Sequence, residues 1–289
     1  MEPEQTANPI DRLDALLHRF SVRAERLHTG PFQGSRHYHA RHGQGYVHVL
    51  RAGTLRVSDG ERGTTRTISE PSLLLYPRPH EHRFDATGND GVLLACATLH
   101  VDGGAAHPLM AALPAVLTVP IRELSGLDEV LSLLDAESAD PRCGHRHVLD
   151  RLFEIVLFKL LRHLVDRPER VGLPGGLLAG LADPALARAL VAMHERPGEP
   201  WSLDALGRVA RMSRSSFAAR FRGVVGVTPY EYLLDWRVTV GQQRLRQGVA
   251  VTQVAAELGY SGGSFSRVFV QRRGLTPRAW AEAARAREG

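Results

Sequence analysis

The C-terminal third of the chain contains one helical plan twice, and this repeat constrains the fold more than any other feature. The first repeat runs from Trp201 to Pro229 and the second repeat from Val251 to Pro277. Both close on a Thr-Pro pair, and the offset between the two pairs is the same as the offset between Phe217 and Phe265. Each repeat has the apolar spacing of a short helix, a tight turn and a second helix. This pattern predicts a tandem helix-turn-helix domain.

Serine and threonine residues mark the expected helix starts in the first repeat. Ser202 and Ser213 are N-cap residues for its two helices, and Thr228-Pro229 begins a longer helix that reaches Leu245. The paired phenylalanines of each repeat lie one turn apart and pack beneath its second helix. At roughly 100° per residue, the opposite side of that helix faces away from the core and is predicted to enter the major groove. The residues on these outward faces are Ser215, Ala218, Ala219 and Arg222 in the first repeat and Gly263, Ser264, Ser266, Arg267 and Val270 in the second.

Charge is distributed unevenly along the chain. The whole sequence has 36 Lys and Arg against 31 Asp and Glu, a net charge of +5. The segment Asp183–Gly289 alone has 16 Arg, no Lys and 9 Asp or Glu, so the remainder is close to neutral. A basic C-terminal third favours a polyanionic partner for that third.

The segment from about Ala185 to Ala284 resembles the DNA-binding domain of the AraC/XylS family of bacterial transcription regulators. The motif is Val254-Ala255, Gly259-Tyr260, Phe265-Ser266-Arg267-x-Phe269 and Gly274-x-Thr276-Pro277. Family members place two such helices in successive major-groove segments on one face of DNA, about 34 Å apart. The resemblance implies base contacts from Ser215, Ala218, Ala219, Gly262, Gly263, Ser264, Ser266 and, above all, Arg267. It implies phosphate contacts from Arg214, Arg222, Arg272 and Arg273, whereas Val270 and Gln271 stand where the family often has lysines.

The region from about Val22 to Val119 has a different texture. Short apolar or alternating runs are separated by Gly, Pro, Asp and Asn, which predicts an antiparallel β sandwich or barrel. The clearest runs are Tyr46–Leu50, Thr54–Val57, Ser72–Tyr76 and Val92–Leu99.

Helices are predicted on both sides of this β region. Asn8-Pro9 opens a short one, and Leu124–Ala136 and His147–Val165 follow the strands. The last helix has a broad apolar stripe from Leu149 to Leu164. This stripe predicts either packed core or the surface that meets a partner helix across a dimer axis.

Fourteen histidines are present, and several cluster in the β region. His37 and His39 alternate on one strand and therefore share a face, and with His48 and His82 they make a candidate facial metal site. The layout resembles the cupin fold, whose first motif contains His-x-His and whose second is similar to Pro77-x-Pro79-x-x-His82. Tyr46 stands near the usual ligand glutamate, and Pro79 replaces a glycine. We therefore expect either a pocket for a small organic effector or a divalent metal at these histidines.

Two cysteines cannot form a disulfide framework. Cys96 lies in a predicted strand and has the character of a small buried hydrophobe. The domain is nevertheless similar to a family subgroup in which a cysteine near this position senses oxidants. Cys143, between Arg142 and His145, has a basic setting, so a redox switch that uses both thiols is a further alternative.

These features predict a two-domain α+β protein. Residues 1–165 form a cupin-like antiparallel β-barrel with flanking helices that senses an effector and dimerises, 166–182 are a linker, and 183–289 form the all-α tandem helix-turn-helix domain. The expected function is sequence-specific regulation of transcription, with promoter DNA, a small-molecule effector, a second copy of the chain and RNA polymerase as partners.

The alternative from another class is a metal-dependent cupin enzyme with an accessory DNA-binding domain. The paired repeats argue against an enzyme, since a catalytic cupin needs no paired helix-turn-helix. No apolar run has membrane-spanning length, and Met1-Glu2-Pro3-Glu4-Gln5 lacks a signal-peptide pattern, so we expect a cytoplasmic protein.

Overall fold

The computed structural model describes residues 10–60, 63–86, 91–102, 107–171 and 175–288. The chain forms two compact units. Phe20–Pro174 contains every described strand and is called the β domain here. Met1–Arg19 and Gly175–Gly289 together make up the other unit, called the helical domain. The predicted helix start at Asn8-Pro9 lies outside the described residues.

Two antiparallel sheets form the β domain. Five strands in the order β1-β8-β3-β6-β9 make one sheet, and four in the order β2-β7-β4-β5 make the other. The strands are β1 Val22–Phe32, β2 Gly34–Tyr38, β3 Gln44–Ala52, β4 Leu55–Asp59, β5 Thr65–Ile68, β6 Ser72–Tyr76, β7 His82–Ala86, β8 Val92–Val101 and β9 Leu117–Pro120.

The two sheets bury their inner faces against each other. Alternate residues of a strand point to one face, and the inward residues of both sheets form one apolar cluster. Tyr38 and Phe84 come from the four-stranded sheet, and Tyr46, Tyr76 and Cys96 come from the five-stranded sheet. The predicted cupin-like β domain is thereby confirmed, with two sheets around a shared core.

Three helices of the described chain accompany the strands: α2 Pro108–Ala111, α3 Leu127–Ala139 and α4 His145–Asp166. The apolar stripe of α4 is buried within the chain itself, and Leu157, Leu160 and Leu161 are fully buried. The stripe is therefore core, and an intersubunit surface on α4 has to lie elsewhere on the helix. Among the described residues, no helix has both the length and the apolar character needed to span a membrane.

The helical domain contains the remaining α-helices of the described chain. Their bounds are α1 Asp14–Arg19, α5 Leu177–Ala182, α6 Pro184–Glu195, α7 Leu203–Ala210, α8 Arg214–Val225, α9 Pro229–Arg246, α10 Val251–Glu257, α11 Gly262–Arg273 and α12 Pro277–Glu288.

The segment that begins the described chain packs in the helical domain. The Arg19 guanidinium donates hydrogen bonds to the carbonyl oxygens of His194 (3.1 Å) and Glu195 (2.9 Å), and Arg12 donates to the Leu181 carbonyl. These carbonyls lie at the ends of α5 and α6, where intrahelical donors are missing. The compact units thus divide the chain at Arg19 and Gly175, whereas the predicted sensing domain begins at residue 1. Residues 177–182 of the predicted linker form α5, and 172–174 lie outside the described part.

The two repeats match element by element. Helices α7, α8 and α9 begin at Leu203, Arg214 and Pro229, and one constant offset along the chain carries these starts onto those of α10, α11 and α12. Ser213 and Ser261 both cap the helix that follows by accepting a hydrogen bond from the third backbone amide. The ring centroids of the phenylalanine pair are 5.6 Å apart in each repeat. The structure therefore confirms the predicted tandem helix-turn-helix architecture.

Candidate DNA-binding surface and ligand site

Helix α8 presents the predicted outward face of the first repeat to solvent. Phe217 and Phe221 are fully buried beneath it, while Ser215, Ala219 and Arg222 are exposed and Ala218 is half-buried. The residues that were assigned to the DNA-facing side thus lie opposite the hydrophobic core. Their side chains are short except for Arg222.

Helix α11 repeats this arrangement with different side chains. Phe265 and Phe269 are fully buried, and Gly263, Arg267 and Val270 are exposed. Ser266 is half-buried, and its hydroxyl donates a hydrogen bond to the Gly262 carbonyl, 3.0 Å away. Arg267 is the long hydrogen-bonding side chain on this outer face, which suits it to a base edge.

The remaining predicted arginines differ in how strongly the protein holds them. Arg273 donates to the Gln242 side chain (3.1 Å) and is half-buried, which ties it to α9. Arg272 lies 3.6 Å from an Asp235 carboxylate oxygen. Arg214 is mostly exposed and lies 3.7 Å from Asp204. Arg214 and Arg272 are therefore near enough to solvent to exchange a carboxylate for a phosphate, whereas Arg273 has a structural contact.

In the β domain, the four predicted histidines form two separate pairs. His37 and His39 are exposed on the outside of the sheet, with ring centroids 4.4 Å apart. Glu81 joins them, because its Oε1 lies 3.0 Å from His37 Nε2. Beside this group is an open cavity of about 400 Å³. Its lining includes Arg36, His37, His39, Arg41, Tyr46 and Glu25.

His48 and His82 instead lie inside the shared core of the sheets. Both are fully buried, and their Nε2 atoms are 2.9 Å apart. Burial removes the solvation of the imidazolium, so the pKa of His82 falls to about 4 and that of His48 falls well below its ordinary value. The pair is therefore a neutral hydrogen-bonded unit, packed among Tyr38, Tyr76 and Phe84.

The resemblance to cupins implies a metal in the core, and these residues do not fit one. A protein metal site of this kind needs at least three ligands. Among the described residues, three such ligand atoms lie within 4.8 Å of one another at His37, His39 and Glu81. This group is outside the core. Arg36 and Arg41 line the adjoining cavity, and their positive charge opposes a cation there.

The two cysteines occupy unlike environments. Cys96 is fully buried with its Sγ 3.4 Å from the Tyr38 hydroxyl, and burial raises its thiol pKa to about 12. Cys143 is exposed, in the segment between α3 and α4. Cys96 is consequently a protonated core thiol in this structure.

Several participants were not identified from the sequence. Glu81 is adjacent to His82, but alternation along the chain gave no reason to place it with His37. Arg36 and Arg41 flank the histidines, so the basic run Arg36–Arg41 was the available signal. Tyr230, which is 67% exposed at the start of α9, lies beside α8. It follows the Thr-Pro pair directly, and the sequence pattern there indicated only the start of a helix.

A two-sheet domain with a ligand-sized cavity, joined to paired helix-turn-helix units with a basic composition, defines a DNA-binding transcription regulator. The comparisons agree. A family described as Cupin matches residues 11–166, and one described as Helix-turn-helix domain matches residues 206–283. The chain belongs to the AraC family of helix-turn-helix transcriptional regulators with an N-terminal cupin domain.

Its relatives are transcription regulators and not enzymes. It is 28% identical over 256 residues to the RCS-specific HTH-type transcriptional activator RclR of Escherichia coli, covering 84% of this chain and 88% of that protein. It is 32% identical over 221 residues to an AraC-like transcription regulator of Streptomyces lividans, covering 75% and 72%. Among solved structures, fatty-acid-bound ToxT from Vibrio cholerae aligns over 91% of this chain and 94% of that chain, with 14% identity and a TM-score of 0.40.

Proposed function

We propose that this regulator responds to a small organic anion bound in the cavity beside His37 and His39. The observation that carries this proposal is the cavity itself, about 400 Å³ and lined by Arg36 and Arg41 against the single carboxylate Glu25. Its volume lies within the range of small-molecule sites, and two guanidinium groups favour a carboxylate or phosphate. The inward side chains of both sheets form a buried apolar cluster, so the outer cavity is the site that we propose for a charged ligand.

The ligand has to change DNA binding to act as a signal. An effector shifts an equilibrium only if it binds one conformation more tightly than the other. Under this proposal the anion stabilises one state of the β domain, and the helical domain reads the promoter through α8 and α11. The relative named as an activator makes activation the direction to test first.

The ligand proposal is tested by thermal unfolding of the full chain with a panel of small carboxylates and phosphates, and with Zn²⁺ in parallel. We expect one class of anion to raise the midpoint in the wild type and in Arg56→Ala, a control at an exposed position of β4 outside the cavity lining, but not in Arg41→Ala. The same anion should change the affinity for an in-vitro-selected duplex. If Zn²⁺ alone stabilises the protein and His37→Ala loses this effect, the ligand of this site is a metal ion and the anion proposal is wrong.

A homodimer is also part of the proposal. Val148 and Ile155 are 43% and 40% exposed and lie two helical turns apart on one side of α4. Such an exposed apolar pair suits packing against the same helix of a second copy. Ile155→Glu should give folded monomers in sedimentation, whereas Leu157→Glu would unfold the β domain because Leu157 is core. RNA polymerase remains a predicted partner.

Oxidant sensing is the second candidate signal, and it is favoured by the similarity to the family subgroup in which a cysteine near the position of Cys96 senses oxidants. Burial of Cys96 works against it, since the thiolate is the reactive form. Hypochlorite titration of DNA binding in Cys96→Ser and Cys143→Ser decides the matter. If oxidation changes DNA binding in the wild type and in neither variant, the thiols are the sensor.

A further inference from the structure

We propose that the first repeat reads thymine through its 5-methyl group, which enters an apolar cavity beside α8, while the second repeat reads by hydrogen bonding through Arg267. This inference rests on the DNA-binding role of the two outward faces. It adds to the face of the first repeat a specific kind of base recognition, the apolar contact with a methyl group. The two halves of the operator are then recognised by different physical means.

The cavity has a volume of about 310 Å³ and lies where three helices meet. Leu203 comes from α7, Ala218, Ala219 and Arg222 come from α8, and Thr228, Pro229 and Tyr230 come from the start of α9. Apart from Arg222 and the hydroxyls of Thr228 and Tyr230, these side chains are hydrocarbon. A concave apolar surface on the DNA-facing side of a basic domain needs an apolar partner from DNA.

The major groove offers one apolar group, the 5-methyl of thymine. Ala218 and Ala219 have no hydrogen-bonding group, so contact with a methyl is the base readout left to them. Ala219 is exposed and Ala218 is half-buried at the rim, which leaves room for a base edge to approach. Arg222 is exposed at the same rim and supplies a charge for an adjacent phosphate.

The second repeat has different side chains at the positions equivalent to the lining of this cavity. Its equivalent positions hold Ser266 for Ala218, Arg267 for Ala219 and Arg278 for Tyr230. Arg278 donates to Glu282 at 3.1 Å and is therefore partly neutralised, while Arg267 is exposed. Val270 replaces Arg222 there, but Ser266 and Arg267 make the rest of the α11 side polar, so we expect methyl recognition in the first repeat. An arginine in this setting favours guanine, through its O6 and N7.

The experiment begins with a duplex selected from a random pool by the full chain. Each thymine is then replaced in turn by deoxyuridine, which removes the methyl and keeps the base pair. Loss of one buried methyl corresponds to about a four-fold loss of affinity. We expect that loss at one or two thymines in the half bound by the first repeat and less than a two-fold change elsewhere. The half bound by the second repeat is identified as the one whose footprint weakens in Arg267→Ala.

A matched pair of variants separates the cavity from general charge effects. Ala219→Arg copies the second repeat on the outer face of α8 and should abolish the thymine–uracil discrimination without changing the thermal midpoint. Gly223→Arg adds the same charge on α8 at an exposed position where no atom lies within 4 Å of a new Cβ, and it should keep the discrimination.

The proposal is overturned if every uracil substitution in the first half changes affinity by less than two-fold, or if the discrimination lies in the second half. Either result would leave specific DNA binding intact. Failure to select any duplex would instead refute the role of the outward faces on which this inference depends.

Discussion

Helix α8 runs from Arg214 to Val225 and helix α11 from Gly262 to Arg273, so the two helices have the same length and the same place in their repeats. Beneath them, the inner phenylalanines repeat in spacing and in the tilt of the rings, 58° in one and 61° in the other. The outer faces diverge: Ala218 and Ala219 of the first repeat correspond to Ser266 and Arg267 of the second, while Arg222 corresponds to Val270. The core of a helix-turn-helix unit is fixed by packing, whereas its outer face is free to vary with the DNA it meets.

The turns of the two repeats also differ in how they reach the same backbone conformation. In the turn after the first helix, the left-handed residue is Arg211 in one repeat (φ 58°) and Gly259 in the other (φ 74°). Only glycine adopts this left-handed region without a steric cost. The first repeat therefore carries a small local strain that the second avoids.

The largest effect we predict is for Gly259→Ala. A Cβ at this position would overlap with the carbonyl oxygen of Gly198, in addition to requiring a left-handed alanine. We expect the free energy of unfolding to fall by about 3 kcal/mol, measured by urea denaturation. A loss below about 1 kcal/mol would show that the close approach of the two glycine backbones is dispensable.

Arg267→Ala should weaken binding to the selected duplex by about 2 kcal/mol, with a much smaller effect on non-specific DNA. Arg222→Ala, at the first repeat, should weaken both by a similar factor and lower the salt slope by about 1, as expected for a phosphate contact. Fluorescence anisotropy with the two DNAs measures this. Equal losses on both DNAs for Arg267→Ala would make it a phosphate contact and remove the contrast between the repeats.

Acid should destabilise the packing beneath α8 in the first repeat more than the packing beneath α11 in the second. Fully buried His194 lies against Trp236 and 2.6 Å from the Tyr232 hydroxyl, and Tyr232 packs on Phe221. Its Nδ1 has no hydrogen-bond partner among the described residues, and burial, aided by the Arg19 charge, lowers its pKa from the ordinary 6.5 to about 3. In the second repeat, Trp280 takes the place of Tyr232 against Phe269, with the Arg246 guanidinium over it.

Because unfolding lets His194 take up a proton, its contribution to stability is complete above pH 6.5 and falls as the pH drops toward 3. The predicted slope is about 1.4 kcal/mol per pH unit. Hydrogen exchange at pH 6.5 and 5 should show protection lost first in the amides of the first repeat, and His194→Gln should remove that difference. Equal loss in both repeats would contradict the assignment.

The smallest effect concerns Arg211→Gly. Relief of the left-handed strain and the greater freedom of glycine in the unfolded chain oppose each other, and we expect a net stabilisation of about 0.5 kcal/mol. Thermal unfolding gives the sign. A clear destabilisation would mean that the Arg211 side chain makes a contact worth more than the strain.

The sequence predicts the helical domain better than the β domain because the residues of one repeat can be checked against the equivalent residues of the other. Ser213, Phe217 and Gly226 each have an identical residue at the equivalent position of the second repeat, so chance matches are excluded. In the β domain, Ser72–Tyr76 was predicted to the residue because its buried run is continuous. Strand β5 was not predicted, since most of its residues are exposed and it shows no clear alternation, and β2 was predicted only through His37-x-His39.

The ligand site was predicted only in part for a related reason. Alternation placed His37 with His39, but it could not tell which side of the sheet they would occupy. Tyr38 fills the core, and its neighbours therefore point outward. Glu81 reaches the same region through the pairing of β2 with β7, which local sequence does not encode. The exposure of His37 and the burial of His48 likewise depend on how the strands pair and pack, which the local sequence does not show.

The most direct test of the account is hydroxyl-radical footprinting of the full chain on its selected duplex. Two repeats held by α9 should protect two stretches about 10 base pairs apart on one face of the DNA. Arg267→Ala should weaken one stretch more than the other. A single protected stretch, or two that lie on opposite faces, would contradict recognition by paired and chemically distinct repeats.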